Sequence, residues 1–154
     1  MTEVAVQISE EYKISLIPSE ELIKIWDQCE PILFKSCKRS DGRDRPVDIF
    51  YRCTRNQSSL WIIFDDSDLN IIGCVVTNLH DYPSGKRMLH IEHVAGKQMN
   101  KWADLGLECM YKWAAENKCE GIEAVGRTGF VHWIKDREEW RETSRFYEMK
   151  LKGE

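Results

Sequence analysis

"VAGKQMNKWADLGLECMYKWA", residues 94–114, joins two different periodicities, and the junction orders the rest of the chain. Upstream, "MLHIEHVAG" (88–96) reads as a strand. Downstream, Trp102, Leu105, Gly106, Cys109, Met110 and Trp113 recur at i, i+3, i+4, i+7, i+8 and i+11, one apolar stripe along a helix. The spacing predicts the longest continuous helix of the chain near 100–117, with Asn100 as its N-cap and "NKCEG" as its end. A short turn with one glycine, Gly96, connects strand to helix.

Working outward, "YKISLIP" (12–18) sets Tyr12, Ile14 and Leu16 against Lys13 and Ser15, a half-buried strand that Pro18 ends. Ser19 followed by Glu20, Glu21 and Leu22 opens a helix with Leu22, Ile25, Trp26 and Cys29 on one face. Pro31 is expected to kink or break it before "ILFKSCK". Pro46 opens a second short helix, "PVDIFYRCTRNQ". "SLWIIFDD" (59–66) and "IIGCVVTNLHDY" (71–82), joined by "SDLN", form an antiparallel hairpin. After the long helix come a strand "GIEAVGR" (121–127), a short helix within "TGFVHWIKDREEW" (128–140) and a last strand within "RETSRFYEMKL" (141–151). The order β-α-α-β-β-β-α-β-α-β predicts an α/β fold: one domain over 1–154, with a mixed sheet and helices on both faces.

Composition narrows the function. The chain has 154 residues, with 22 basic against 26 acidic residues and a net charge of −4. That charge argues against a general nucleic-acid or anionic-membrane binder, and no run approaches the length of a membrane span. "KSCKRSDGRDR" (35–45) is the basic exception, either a solvated loop or the rim of a site for an anionic substrate or partner. None of the six cysteines forms a C-x-x-C pair; all are expected to be free thiols in a reducing cytoplasm. "MTEVAVQISEEYK" has neither a basic start nor a continuous apolar run, against a signal peptide.

The element order resembles the GNAT fold of CoA-dependent N-acetyltransferases, across nearly the whole chain. The tail is similar to GNAT-like proteins of tailed bacteriophages, at Gly126-Arg127-Thr128-Gly129-Phe130, Glu139-Trp140-Arg141-Glu142 and Glu148-Met149-Lys150-Leu151. That resemblance implies a host-cytoplasmic or virion location, with virion proteins as partners. The family's turn signature, Q/R-x-x-G-x-G/A, falls on Gln98-Met99-Asn100-Lys101-Trp102-Ala103, matching at Gln98 and Ala103, with Lys101 in place of the central glycine. The resemblance implies acetyl-CoA as co-substrate, held by Val94 and by Gln98, Met99, Asn100, Lys101, Trp102 and Ala103. Backbone N–H groups from Lys97 to Trp102 would face the pyrophosphate. Lys101 either crowds the approach or offers its ammonium to the phosphates.

Acyl transfer to an amine also needs a base, because a protonated amine is no nucleophile. Period two places His90 and Glu92 on one face and Leu89, Ile91 and His93 on the other. Glu92, with His90 beside it, is the general-base candidate; the alternative is a solvated polar sheet face. His90 and His93 would point apart, so no zinc site is expected. The tyrosine with which many family members protonate the departing thiolate is replaced by Trp133. His132 is adjacent but points elsewhere on a helix, and Tyr147 would have to fold back from the last strand. Two functions follow: an N-acetyltransferase acting on an unspecified amine, or a GNAT-fold component of a phage particle without turnover.

Overall fold

The structure is a computed structural model that describes residues 5–126 and 130–151, apart from the side chain of Val131. The chain divides into two compact units, Met1–Ala124 and Val125–Glu154. In the first unit, β1 (Ala5–Gln7) and β2 (Tyr12–Ile17) precede a single 3₁₀ turn at Ser19–Glu21. Then come α1 (Leu22–Lys38), α2 (Pro46–Thr54), β3 (Ser59–Asp65), β4 (Ile71–Asp81), β5 (Arg87–Gly96), α3 (Met99–Glu116) and β6 (Gly121–Ala124). The six strands lie in chain order in one sheet. Neighbours pair antiparallel from β1 to β5, and β5 pairs parallel with β6, as the α3 crossover requires.

Both faces of the sheet are covered, which is why β3 and β4 read as nearly continuous apolar runs. On one face Trp26, Cys29, Leu33 and Cys37 of α1 and Ile49 and Cys53 of α2 pack on Leu60, Ile62, Cys74 and Val76. On the other, Trp102, Met110 and Ala114 of α3 pack on Tyr12, Ile14, Trp61, Ile63, Val75 and Leu89. All six cysteines are free. Burial pushes the Cys37 thiol up to about 11 and the Cys53 thiol up to about 12, so neither is a ready thiolate.

Several sequence expectations need correction. Pro31 does not break α1, which runs unbroken from Leu22 to Lys38. Pro31 and Asp27, whose carbonyl loses its partner to the missing N–H, both lie on the exposed side, where solvent can take up the defect. Asn100 is not the N-cap; the cap position lies two residues earlier, at a left-handed Gln98 (φ 55°) whose side chain makes no cap. A strand absent from the sequence analysis, β1, adds to the sheet edge.

In the second unit, α4 (Phe130–Ile134) is followed by tight turns at Arg137 and Trp140. Phe130, Trp133 and Trp140 form a ring cluster with centroids 5.4–5.8 Å apart, and the Arg137 guanidinium lies over Trp133. The expected last strand over 143–151 is not formed; that stretch is irregular and exposed, with Tyr147 at 81 %. Alternation supplies a suitable surface but not a partner, and a strand exists only as a hydrogen-bonded pairing. Arg127, Thr128 and Gly129 of the phage-like tail pattern lie outside the described residues.

Candidate active site

The parallel pairing of β5 with β6 covers only Met88–Ile91 against Gly121–Ala124. Beyond Ile91, β5 continues to Gly96 against β4, and among the described residues no strand pairs with its other edge. The sheet therefore forks at Ile91, and α3 starts at the open end of the fork.

The turn into α3 is built around close approaches. Gly96 has φ 143°, and a Cβ there would meet the Ile72 carbonyl oxygen at 2.3 Å. Gly73, its cross-strand partner, lies against the Trp102 ring, which a Cβ would meet at 2.6 Å. Glycine at 96 thus serves the packing of β5 on β4. The Lys97 N–H donates to the Ile72 carbonyl, and the Trp102 indole N–H donates to the Lys97 carbonyl at 2.7 Å. The Lys101 N–H donates to the Gln98 carbonyl.

The turn was expected to offer N–H groups from Lys97 to Trp102, but Lys97 and Lys101 spend theirs internally. Among the described residues the N–H groups of Gln98, Met99 and Asn100 make no backbone pairing. The Gln98 side-chain oxygen accepts from the Tyr12 hydroxyl at 2.6 Å, which ties the turn to β2. Lys101 is exposed in the first turn, Trp102 is a core residue, Ala103 packs at the core margin, and Val94 faces the α3 side.

Strand β5 carries the second correction. Its pairing with β4 steps from Ile91↔Thr77 to His93↔Val76, leaving Glu92 as an extra residue, a β-bulge. Alternation fails there. His90 pairs with Asn78, Glu92 hydrogen-bonds Asn78, and His93 lies opposite Val76. All three point toward α1 and α2, so His93 joins Glu92 rather than facing away from it.

Glu92 is held by three donors. Its Oε1 accepts from Arg52 Nη2 at 2.6 Å, and its Oε2 from Ser58 Oγ at 2.6 Å and Asn78 Nδ2 at 2.7 Å. Arg52 also grips Asp44 with both terminal nitrogens, at 2.9 and 2.7 Å. Asp44 Oδ2 lies 2.7 Å from His93 Nε2, and His93 Nδ1 lies 2.6 Å from Ser36 Oγ. Burial alone would raise the Asp44 carboxyl, but hydrogen bonds from Arg52 and His93 outweigh it and hold it well below the usual carboxylate range.

Sequence reasoning missed Ser36, Asp44, Arg52 and His93 as one group. The signal was "KSCKRSDGRDR", which contains Ser36 and Asp44; the aspartate turns inward instead of dissolving in a solvated loop.

His90 belongs to a separate cluster at the paired end of the fork. Its Nδ1 is 2.7 Å from Glu123 Oε2, and the Tyr82 hydroxyl donates to the same carboxylate. Burial pushes the Glu123 carboxyl up, yet the hydrogen bonds from Tyr82 and His90 bring it below its ordinary value. An ionised carboxylate only accepts, so Nδ1 carries a proton, and in the neutral ring Nε2 is the nitrogen with the lone pair.

No family model matches this chain, and no curated protein matches it. Solved structures do. A probable acetyltransferase is 14 % identical, with 92 % of this chain and 97 % of that one covered at a TM-score of 0.68. An aminoglycoside acetyltransferase from an uncultured soil metagenomic sample is 13 % identical over 95 % and 100 %, at 0.67. A ribosomal-protein-alanine N-acetyltransferase from Brucella melitensis biovar Abortus 2308 is 12 % identical over 93 % and 99 %, at 0.64. Likeness at this identity speaks to architecture, and with the forked mixed sheet it establishes that the chain has the GNAT-like acyl-CoA N-acyltransferase fold.

Proposed function

We propose that this protein is a CoA-dependent N-acetyltransferase that moves an acetyl group from acetyl-CoA to an amine at the β5–β6 fork. The observation that carries the reading is the junction of fork and helix. The open strand edge runs into an 18-residue helix whose first N–H groups, at Gln98, Met99 and Asn100, are left without backbone acceptors. Those donors and the positive end of α3 fit an anionic diphosphate, with the exposed Lys101 ammonium beside them. Trp102 and Ala103 support the turn from below, and Val94 lies on β5 beyond the fork. Acetyl-CoA supplies the activated thioester; the chain's residues do the rest.

His90 is positioned to take the proton from the acceptor amine on Nε2, with Glu123 and Tyr82 fixing the ring. Glu92 anchors the bulge through Arg52, Ser58 and Asn78 and keeps the strand in shape beside the fork. The acceptor class is an amine, in keeping with the aminoglycoside and ribosomal-protein-alanine enzymes of the same fold.

A GNAT-fold component without turnover is the second reading. It is favoured by Gln98 being tied to Tyr12 and by Lys101 standing where the fold's turn prefers glycine. Its virion version rests on the tail pattern alone. Calorimetric titration with acetyl-CoA separates the two. Binding in the micromolar range, with turnover of a panel of primary amines lost in His90→Gln, is the expected result. No heat at millimolar acetyl-CoA would overturn the enzyme reading.

A further inference from the structure

Beyond the fork's helix end, the α1–α2 face holds an ordered chain of three groups from distant parts of the sequence: Ser36 on α1, His93 on β5 and Asp44 on the connection between α1 and α2. Oγ of Ser36 is 2.6 Å from His93 Nδ1, and His93 Nε2 is 2.7 Å from Asp44 Oδ2. We infer that Ser36 is an acyl-accepting nucleophile, activated by His93 and oriented by Asp44, that takes the acyl group of a thioester or activated ester as a covalent ester.

Protonation follows from the partners. Arg52 grips Asp44 with two hydrogen bonds and keeps it ionised, so Asp44 can only accept and Nε2 must carry the proton. In the neutral ring Nδ1 is then the nitrogen whose lone pair faces the Ser36 hydroxyl. This is the arrangement of an activated serine with its base and orienting acid, here with the two imidazole nitrogens exchanged.

Charge supports it too. Asp44 and Glu92 share the single guanidinium of Arg52, so the cluster holds one uncompensated negative charge, into which an imidazolium fits. Burial separates the roles: His93 is 7 % exposed, a sheltered base, whereas Ser36 is only half-buried, at the edge of the helix. His93 lies two residues past Ile91, the last residue of β5 paired with β6, on the stretch whose second edge no described strand occupies.

The step balances without any further reactant. Ser36 Oγ attacks the acyl carbon while its proton passes to His93 Nδ1. The carbon–sulfur bond of the thioester breaks, and the departing thiolate takes that proton, leaving a thiol and the Ser36 ester. Water or an amine then attacks the ester, gives its proton to Nδ1, and Ser36 recovers a proton as it leaves. The inference rests on the proposed function only for acetyl-CoA as natural donor; the activated serine stands by itself.

The test therefore needs no CoA. The intact protein is exposed to diisopropyl fluorophosphate, which loses fluoride as it phosphorylates a reactive serine, and labelled serines are mapped by peptide mass. Ser36 should label at least 100-fold faster than Ser40, a half-buried serine one turn away that bonds only main-chain groups. His93→Gln should remove that advantage, and Ser36→Ala should abolish the label at this position. Equal rates for Ser36 and Ser40 in the unaltered protein would overturn the inference even if the His93 variant fails to fold. In a second arm, brief incubation with acetyl-CoA should add an acetyl group to Ser36. Calorimetric binding of acetyl-CoA together with an unreactive Ser36 would leave the proposed function standing and sink the nucleophile. A reactive Ser36 without acetyl-CoA binding would do the reverse.

Discussion

The two faces of the sheet are buried by different means. Under α3 the interior is almost wholly apolar: Trp61 meets Trp113 edge-on at 5.6 Å, Trp102 fills the space over Gly73, and the Trp61 indole bonds Thr77. Under α1 and α2 the apolar layer ends at a band of charge, in which Asp44, Arg52, Glu92 and His93 are held to one another and to Ser36, Ser58 and Asn78. Desolvating such groups costs more than burying leucines, and an apolar substitute of the same shape is often as stable. A fold that needed only stability could have closed both faces as it closed the first. The charged band lies where β5 leaves β6, so the expensive face is also the one that adjoins the fork.

The comparison makes the apolar face the more sensitive to truncation. Trp102→Ala should cost about 4 kcal/mol, the range for emptying a buried indole site. It also removes the bond that closes the Lys97 turn. Urea denaturation should show the midpoint falling with little change in slope. A loss below about 1 kcal/mol would mean that the α3 face is not the firm half of the molecule.

On the charged face, Arg52→Met should cost roughly 3 kcal/mol, because it strands two carboxylates that share one guanidinium. Adding Asp44→Asn and Glu92→Gln to that variant should recover part of the loss, since the repelling charges go with their partner. No recovery would show that Arg52 acts by packing its stem rather than by charge.

The architecture was legible where a single face was repeated often enough. The helix marked by the stripe from Trp102 to Trp113 and the hairpin of β3 and β4 both form where period and burial agree, although Leu105 of that stripe is exposed. What escaped was set by single residues or by partners far away. The bulge at Glu92 adds one residue to a strand of perfect alternation and thereby moves His93 across the sheet. Asp44 looked like part of a charged loop because the Arg52 and His93 groups that hold its carboxylate come from α2 and β5. The last strand failed for the opposite reason, a pattern without a partner. The catalytic expectation was half informative: His90 and Glu92 do share a face, but each is already bonded to groups that the local sequence does not announce.

Acid should separate the faces without any mutation. The folded Asp44 carboxyl lies below its unfolded value, about 3.9. Its contribution is therefore complete above the unfolded value and disappears as pH falls through and below it. Stability followed by urea denaturation from pH 6 to pH 3 should drop by about 1 kcal/mol more in the unaltered protein than in Asp44→Asn. Parallel curves for the two would detach Asp44 from the stability of the charged face.

The smallest effect belongs to Lys101, at the end of the apolar face where α3 begins. An exposed lysine in a first helical turn faces the positive end of the helix dipole and is mildly unfavourable there. Lys101→Glu should therefore raise stability by roughly 0.5 kcal/mol. If the turn also receives a diphosphate, the same change sets a carboxylate against it and must weaken acetyl-CoA binding, so stability and affinity move in opposite directions. The pair of signs is more informative than either magnitude. A gain in stability with unchanged acetyl-CoA affinity would place the diphosphate away from α3, and a loss of stability would show that the Lys101 side chain has a favourable partner in the folded turn.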